Sequence, residues 1–207
     1  MDLTYGKVVD EWKIDENVPV THFAPRDKFA QTTGEQTLVG ASHNGLYRID
    51  PRLSGNKLVD SEFKQYKTKA DFSAISTTGD GGVAVASAKG DIRLFDKVGK
   101  MAKTALPALG DPIVGVETSA SGRWIVATCK THLYVIDTLI GSGKFQGKLG
   151  FDRAFPADSR PIPKRLQLKP EHVAYMGEIS FTPARHVRSK CSSLVLKLIC
   201  SRRADSM

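Results

Sequence analysis

Cysteine is scarce: Cys129, Cys191 and Cys200 are the only three in 207 residues, and an odd count without regular spacing builds no disulfide framework. Long apolar runs are missing too, since no stretch approaches the roughly 18 residues that a membrane-spanning helix needs. The opening residues, Met1 to Lys13, carry charges every few positions and have no apolar centre, which argues against a secretory signal. The glycosylation triplet is absent as well: Asn17, Asn44 and Asn56 lead into Val-Pro, Gly-Leu and Lys-Leu. These gaps together predict a reducing compartment, the cytoplasm with the nucleus as second choice. Helical periodicity is also lacking over any long stretch, so an all-β fold is expected.

Charge is not lacking. Hydrophobic residues make up 41% and charged residues 25%, a balance that favours a packed core over disorder. The net charge is +8, but residues 186–207 hold five basic residues against one acid, so half of the excess sits in that tail. The rest is spread without a dense cluster, which reads as a solvated mixed surface and not as a nucleic-acid groove.

What the chain does have is a repeat. Asn44-Gly-Leu-Tyr-Arg-Ile-Asp50, Gly90-Asp-Ile-Arg-Leu-Phe-Asp96 and Thr131-His-Leu-Tyr-Val-Ile-Asp137 each read as a short strand ending in aspartate. With Met1-Asp2 as the end of a further copy, the aspartates stand 48, 46 and 41 residues apart, the size of a four-stranded propeller blade. Small and apolar runs precede them at Gln36–Ser42, Gly82–Ser87 and Arg123–Thr128. Bounded by turn residues, these read as buried central strands. The turns Ser42–Gly45, Thr78–Gly82 and Ala88–Gly90 contain the glycines that tight hairpins use at positive φ. Val18–Pro25, Phe72–Thr77 and Pro112–Thr118 are expected to be innermost strands, with Lys7–Trp12, Lys57–Tyr66 and Ala102–Leu106 outermost.

The predicted fold class is therefore a β-propeller, with about three complete four-stranded blades near 15–67, 68–108 and 109–156. Partial blades are expected at both ends, the last beginning around Glu178–Pro183. Propellers close with roughly four to eight blades, so residues 1–185 are expected to form part of a larger ring. The basic tail, 186–207, is expected to be poorly ordered.

Lys89-Gly-Asp-Ile-Arg-Leu-Phe-Asp96 resembles the WD40 pattern DGTVRLWD, and Ser119–Thr128 resembles SPDGRWLAS. More specifically, Tyr5–Trp12, Arg48–Asp60, Lys89–Asp96, Ala108–Pro112 and Leu168–Val173 are similar to the C-terminal propeller domain of the vacuolar import and degradation protein 27 family. The resemblance covers about residues 1–185, and Arg52–Asp60 is its most distinctive part. It implies a WD40-like propeller in a eukaryotic cytoplasmic protein, linked in fungi to import of gluconeogenic enzymes into the vacuole for degradation. It supplies no catalytic residue. Two departures stand out. Gly110-Asp-Pro112 occupies the place of the usual Gly-His pair, and Ile49, Phe95 and Ile136 replace the Trp of Trp-Asp. After Ala184 the sequence leaves the family pattern.

Positions that recur between copies are expected to be structural: Asp50, Asp96 and Asp137 as acceptors for N–H groups of the following turn, Gly45, Gly90 and Gly122 in turns, and Trp124 in blade packing. Gly79–Gly82 looks like a phosphate cradle but leads into a strand, without the helix N-terminus such a site requires. His22, His43, His132, His172 and His186 never fall at metal-ligand spacing, and Cys191 with Cys200 lacks a second ligand pair. Cys129 lies in an apolar run and reads as core, not nucleophile. Adjacent carboxylates such as Asp10 and Glu11 would point to opposite strand faces.

No catalytic, cofactor-binding or metal residue is therefore expected. Arg160, Lys164 and Arg165, in a Pro-rich basic loop, are candidates for docking an acidic partner. The function expected is a non-enzymatic interaction scaffold whose partners are other proteins, with no small-molecule substrate. The alternative is nucleic-acid or anionic-membrane binding through the basic tail, which salt would weaken steeply. A propeller hydrolase stands last.

Overall fold

The computed structural model describes residues 6, 19–55, 57–66, 69–176, 178–187 and 195–197. Four strands form a first antiparallel sheet: β1 (His22–Pro25), β2 (Leu38–Ala41), β3 (Gly45–Ile49) and β4 (Lys64–Gln65), with one helical turn, α1 (Ala30–Thr33), between β1 and β2. A second sheet follows in the same order: β5 (Phe72–Thr77), β6 (Val83–Ser87), β7 (Ile92–Phe95) and β8 (Thr104–Leu106). The third contains β9 (Ile113–Thr118), β10 (Trp124–Cys129), β11 (His132–Asp137) and β12 (Lys164–Gln167). A short helix, α2 (Pro170–Met176), leads to the paired strands β13 (Arg185–Val187) and β14 (Val195–Lys197).

The two-residue period of a strand explains why these sheets stack. On β6, Val83 and Val85 face the first sheet and pack with Ala24, Val39, Leu46 and Phe72. Ala84 and Ala86 face the third sheet and pack with Ile113, Ile125 and Ile136. Both faces of the middle blade are thus buried, which is why its central strand reads as an unbroken run of small apolar residues. Fully burying each larger side chain contributes about 1.5–3 kcal/mol, and Leu94, Ile125 and Ile136 are fully buried at 0% exposure. Leu94 sits opposite Ala84 in the β6–β7 ladder, so a large and a small residue share the layer. On the far face of the third sheet, Val126 and Leu133 pack with Ala184, and β13 lies beside β9. Phe181 N–H also bonds the Lys130 carbonyl at 2.8 Å.

Backbone hydrogen bonds close the hairpin turns. Thr78 N–H bonds the Gly82 carbonyl at 2.8 Å before β6, and Ser119 N–H bonds the Trp124 carbonyl at 2.8 Å before β10. Gly122 takes φ +72° within the second of these. Gly90, at φ +90°, is doubly constrained, since a Cβ there would lie 2.8 Å from the Asp111 carbonyl oxygen. Gly45 differs from expectation: its φ is not positive, and the restriction is space, with Ser42 Oγ 2.8 Å from where a Cβ would stand.

Two further expectations are corrected. The third blade does not end near 156, because its outer strand β12 pairs with β11 through His132↔Gln167 to Val135↔Lys164. Lys164 and Arg165 therefore lie in a strand and not in a loop. Between β11 and β12 the chain makes a long excursion tied back by Thr104 Oγ1 donating to the Gly150 carbonyl at 2.7 Å. The outer strand expected over Lys57–Tyr66 is likewise reduced to Lys64–Gln65 plus a bridge from Leu58 to Ile49. Met1-Asp2, Lys7–Trp12 and most of the basic tail lie outside the described residues.

Candidate functional site

Innermost strands β1, β5 and β9 lie side by side and line a concave face of about 770 Å³. Its polar groups are bonded between blades. Thr77 Oγ1 donates to the Pro25 carbonyl at 2.8 Å, joining the second blade to the first. Thr118 Oγ1 donates to the Thr77 carbonyl at 2.7 Å and lies 3.2 Å from Ser76 Oγ, joining the third to the second. Ser73 Oγ donates to the Ile113 carbonyl at 2.5 Å.

Across this face Lys28 Nζ forms an ion pair with Glu117 Oε1, and Arg185 approaches Glu117 Oε2 at 3.9 Å. The Lys28 and Glu117 side chains are only 13% and 9% exposed, so water screens the pair weakly. Lys28 and Glu117 are 89 residues apart in sequence, and no motif spacing links them. The legible signal was Glu117 itself, a charge inside an otherwise apolar or small innermost strand.

Each of the three repeat aspartates accepts a backbone N–H of the turn that follows, Asp50 and Asp137 from two residues on and Asp96 from the next residue. Asp50 Oδ1 accepts the Arg52 N–H at 3.0 Å, Asp96 Oδ1 accepts the Lys97 N–H at 2.9 Å, and Asp137 Oδ1 accepts the Leu139 N–H at 3.0 Å. Each also faces a cation: Arg52 at 2.9 Å, Lys103 at 3.4 Å and Arg123 at 3.4 Å. The side-chain and backbone hydrogen bonds from Arg52 hold the Asp50 carboxyl down at about 2. Arg123 also lies over the Trp124 ring, 5.2 Å from its centroid, and Trp124 is half-buried on β10. Gly45, Gly90 and Gly122 take their places in the hairpins described above.

In place of the missing Gly-His pair, Asp111 Oδ2 lies 3.5 Å from Nε2 of His132. The His132 ring is buried, stacks edge-on with Tyr134 at 4.8 Å between centroids, and has Thr131 Oγ1 3.2 Å and an Arg165 nitrogen 3.4 Å from Nδ1. Burial first, then Arg165, lowers its pKa, against an opposing pull from Asp111. Cys129 is also buried, and burial first, then Asp111, pushes its thiol up to about 11. A thiol so held is protonated and a poor nucleophile. Among the described residues no group of three or more His, Cys, Asp or Glu side chains gathers at metal-binding distance, and no helix is long and apolar enough to cross a membrane.

Lys164 and Arg165 lie on β12, the outer strand of the third blade, with Arg160 four residues ahead of it, and all three are exposed. They stand apart from the concave face.

Residues 1–193 match the family model described as the VID27 C-terminal WD40-like domain. The chain belongs to this family. The match runs eight residues beyond the 185 expected from the motifs. Two curated VID27 relatives carry the name vacuolar import and degradation protein 27. That of Schizosaccharomyces pombe is 58% identical over 89% of this chain, and that of Saccharomyces cerevisiae is 43% identical over 91%. The chain spans 24% of the length of each.

Two solved structures overlap more loosely. Kuenenia stuttgartiensis hydrazine synthase gives a TM-score of 0.44 at 17% identity, covering 69% of this chain and 38% of that one. The Myceliophteria thermophila Cps50 (Swd1) β-propeller domain gives 0.46 at 13% identity, covering 70% and 40%. Sheet topology and VID27 family membership, and not these overlaps, establish the WD40-like propeller architecture.

Proposed function

We propose that this VID27-family chain serves as part of a non-enzymatic scaffold for other proteins, acting in the cytoplasm, and the nucleus where it enters it, in vacuolar targeting and degradation of cytosolic proteins. The observation that supports this most is the two-sided burial of the middle blade. Packing consumes the sheet faces, so rims, concave face and outer strands are what remain for ligands. On the concave face, Glu117 is engaged by Lys28, a structural use of the carboxylate that an axial hydrolase would need. The name of the two curated relatives supports the vacuolar role, and being drawn from proteins about four times as long, it is a proposal for the whole protein.

The test is delivery of a tagged cytosolic protein to the vacuole, followed in cells with the native gene, without it, and with charge-reversed rim residues. Loss of delivery on deletion, together with loss of co-purifying partners in the rim variants, is expected. A purified native protein that turned over a substrate, and lost that turnover on mutation of a rim residue, would overturn the non-enzymatic role. The alternative based on the basic tail concerns residues that lie mostly outside those described.

A further inference from the structure

Strand β12 is the outermost strand of the third sheet, and its outward peptide groups meet no other described strand. All four of its residues are exposed. The outer strands of the other blades differ: β8 buries Thr104 and Leu106, and β4 is two residues long. An open strand edge is a template for an added strand. Pro161, Pro163 and Pro170, which have no N–H to donate, bracket it and limit pairing to the length of β12.

Ile162, two residues ahead of β12, is 86% exposed, and Leu166 within it 47%. A groove of about 570 Å³ runs between β12 and α2, walled by Arg165, Gln167, Pro170, Val173 and Ala174, with Ile179 closing it. Exposed apolar side chains scattered singly are ordinary; several along one open edge mark a contact surface.

Charge selects the occupant. Residues 160–169 hold Arg160, Lys164, Arg165 and Lys169 and no acid, and no described carboxylate pairs with any of the four. Two cations near the other outer strands are met, Arg48 by Glu62 and Lys103 by Asp96. We infer that the β12 edge takes up an extended acidic segment of a partner protein as an added strand. Main-chain bonds to β12 supply affinity, Lys164 faces its carboxylates on one side of the ladder, and the groove that Arg165 and Gln167 wall on the other side receives its apolar residues. This inference deepens the scaffold role and rests on it.

The test uses the native protein containing the whole chain and a short fluorescein-labelled peptide alternating Glu with Val, followed by fluorescence anisotropy. Saturable binding is expected, weakened about tenfold or more by Lys164→Glu. N-methylating alternate residues of the peptide should weaken it comparably, because that removes the ladder donors. Ile162→Asp, at a position whose exposure spares the fold, should weaken it several-fold. A Lys-Val peptide should not compete. The inference is overturned if the N-methylated peptide binds as well as the parent, or if charge reversal and Ile162→Asp leave binding unchanged. It is also overturned if a single-stranded oligonucleotide binds the same residues more tightly than the acidic peptide. Failure of the scaffold role looks different: the native protein then retains no partner at any rim, whereas failure at β12 alone leaves partners bound elsewhere.

Discussion

Strands β6 and β12 belong to adjacent sheets of the same four-stranded type, yet every residue of β6 is buried and every residue of β12 is exposed. The difference teaches what specifies each. Packing on two faces dictates the composition of β6, so Val and Ala alternate from Val83 to Ala86 and the one polar residue, Ser87, stands at its end with its hydroxyl bonded to Asp91. The main-chain ladder to β11 holds β12 in place, and Arg165 against His132 adds a side-chain contact, so its side chains answer mainly to solvent and, on the account above, to a partner.

The comparison breaks most visibly in the core. Leu94→Ala or Ile136→Ala, beside the buried central strands, should cost about 2–5 kcal/mol, whereas Leu166→Ala on β12 should stay within about 0.5 kcal/mol. Chemical-denaturation midpoints of the native protein check both, and equal losses would erase the contrast. Next in size is the pair across the concave face. Lys28→Met should cost about 3 kcal/mol, near the lower end for stranding one charge of a buried pair, because Arg185 remains close to Glu117. Asp137→Ala, which removes the acceptor for the Leu139 N–H, should cost about 1 kcal/mol and raise local exchange at the β11 end.

Smaller still is a pH effect at the margin between the two regions, where His132 of β11 faces Arg165 of β12. The folded protein lowers the His132 pKa below the unfolded value near 6.5. Its neutral form is therefore favoured by folding: the contribution is complete above about pH 6.5 and is lost as pH falls through the lower folded pKa. Thermal melts should show acid sensitivity starting just below that pH, and His132→Gln should flatten it. A variant with an unchanged profile would remove His132 from the account. Cys129, with its thiol held up at about 11, should resist alkylation until the third blade unfolds, as peptide mass spectrometry would show.

Much of the blade pattern was legible because burial leaves a compositional trace. Gly82–Ser87 and Arg123–Thr128 stand out as small and apolar runs, and the aspartates closing β3, β7 and β11 supply the period. Strand β12 left no such trace. Pro-Ile-Pro-Lys-Arg resembles a linker because nothing but backbone pairing requires it to be extended, and so the third blade was ended too early. The long excursion between β11 and β12 hid the same boundary. The Lys28–Glu117 pair was not legible from spacing, since it forms only when the first and third blades curve around the second. Gly45 was legible as a turn residue but for the wrong reason, since crowding against Ser42 and not a positive φ restricts it.

Amide hydrogen exchange, followed residue by residue in the native protein, tests the stacking of successive sheets most directly. If the middle blade is covered on both faces, amides of β6 and β10 should exchange only through global unfolding while those of β12 exchange through local opening, orders of magnitude faster. Exchange of β6 as fast as that of β12 would mean the sheets do not pack around a common axis, and the fold described here would be wrong.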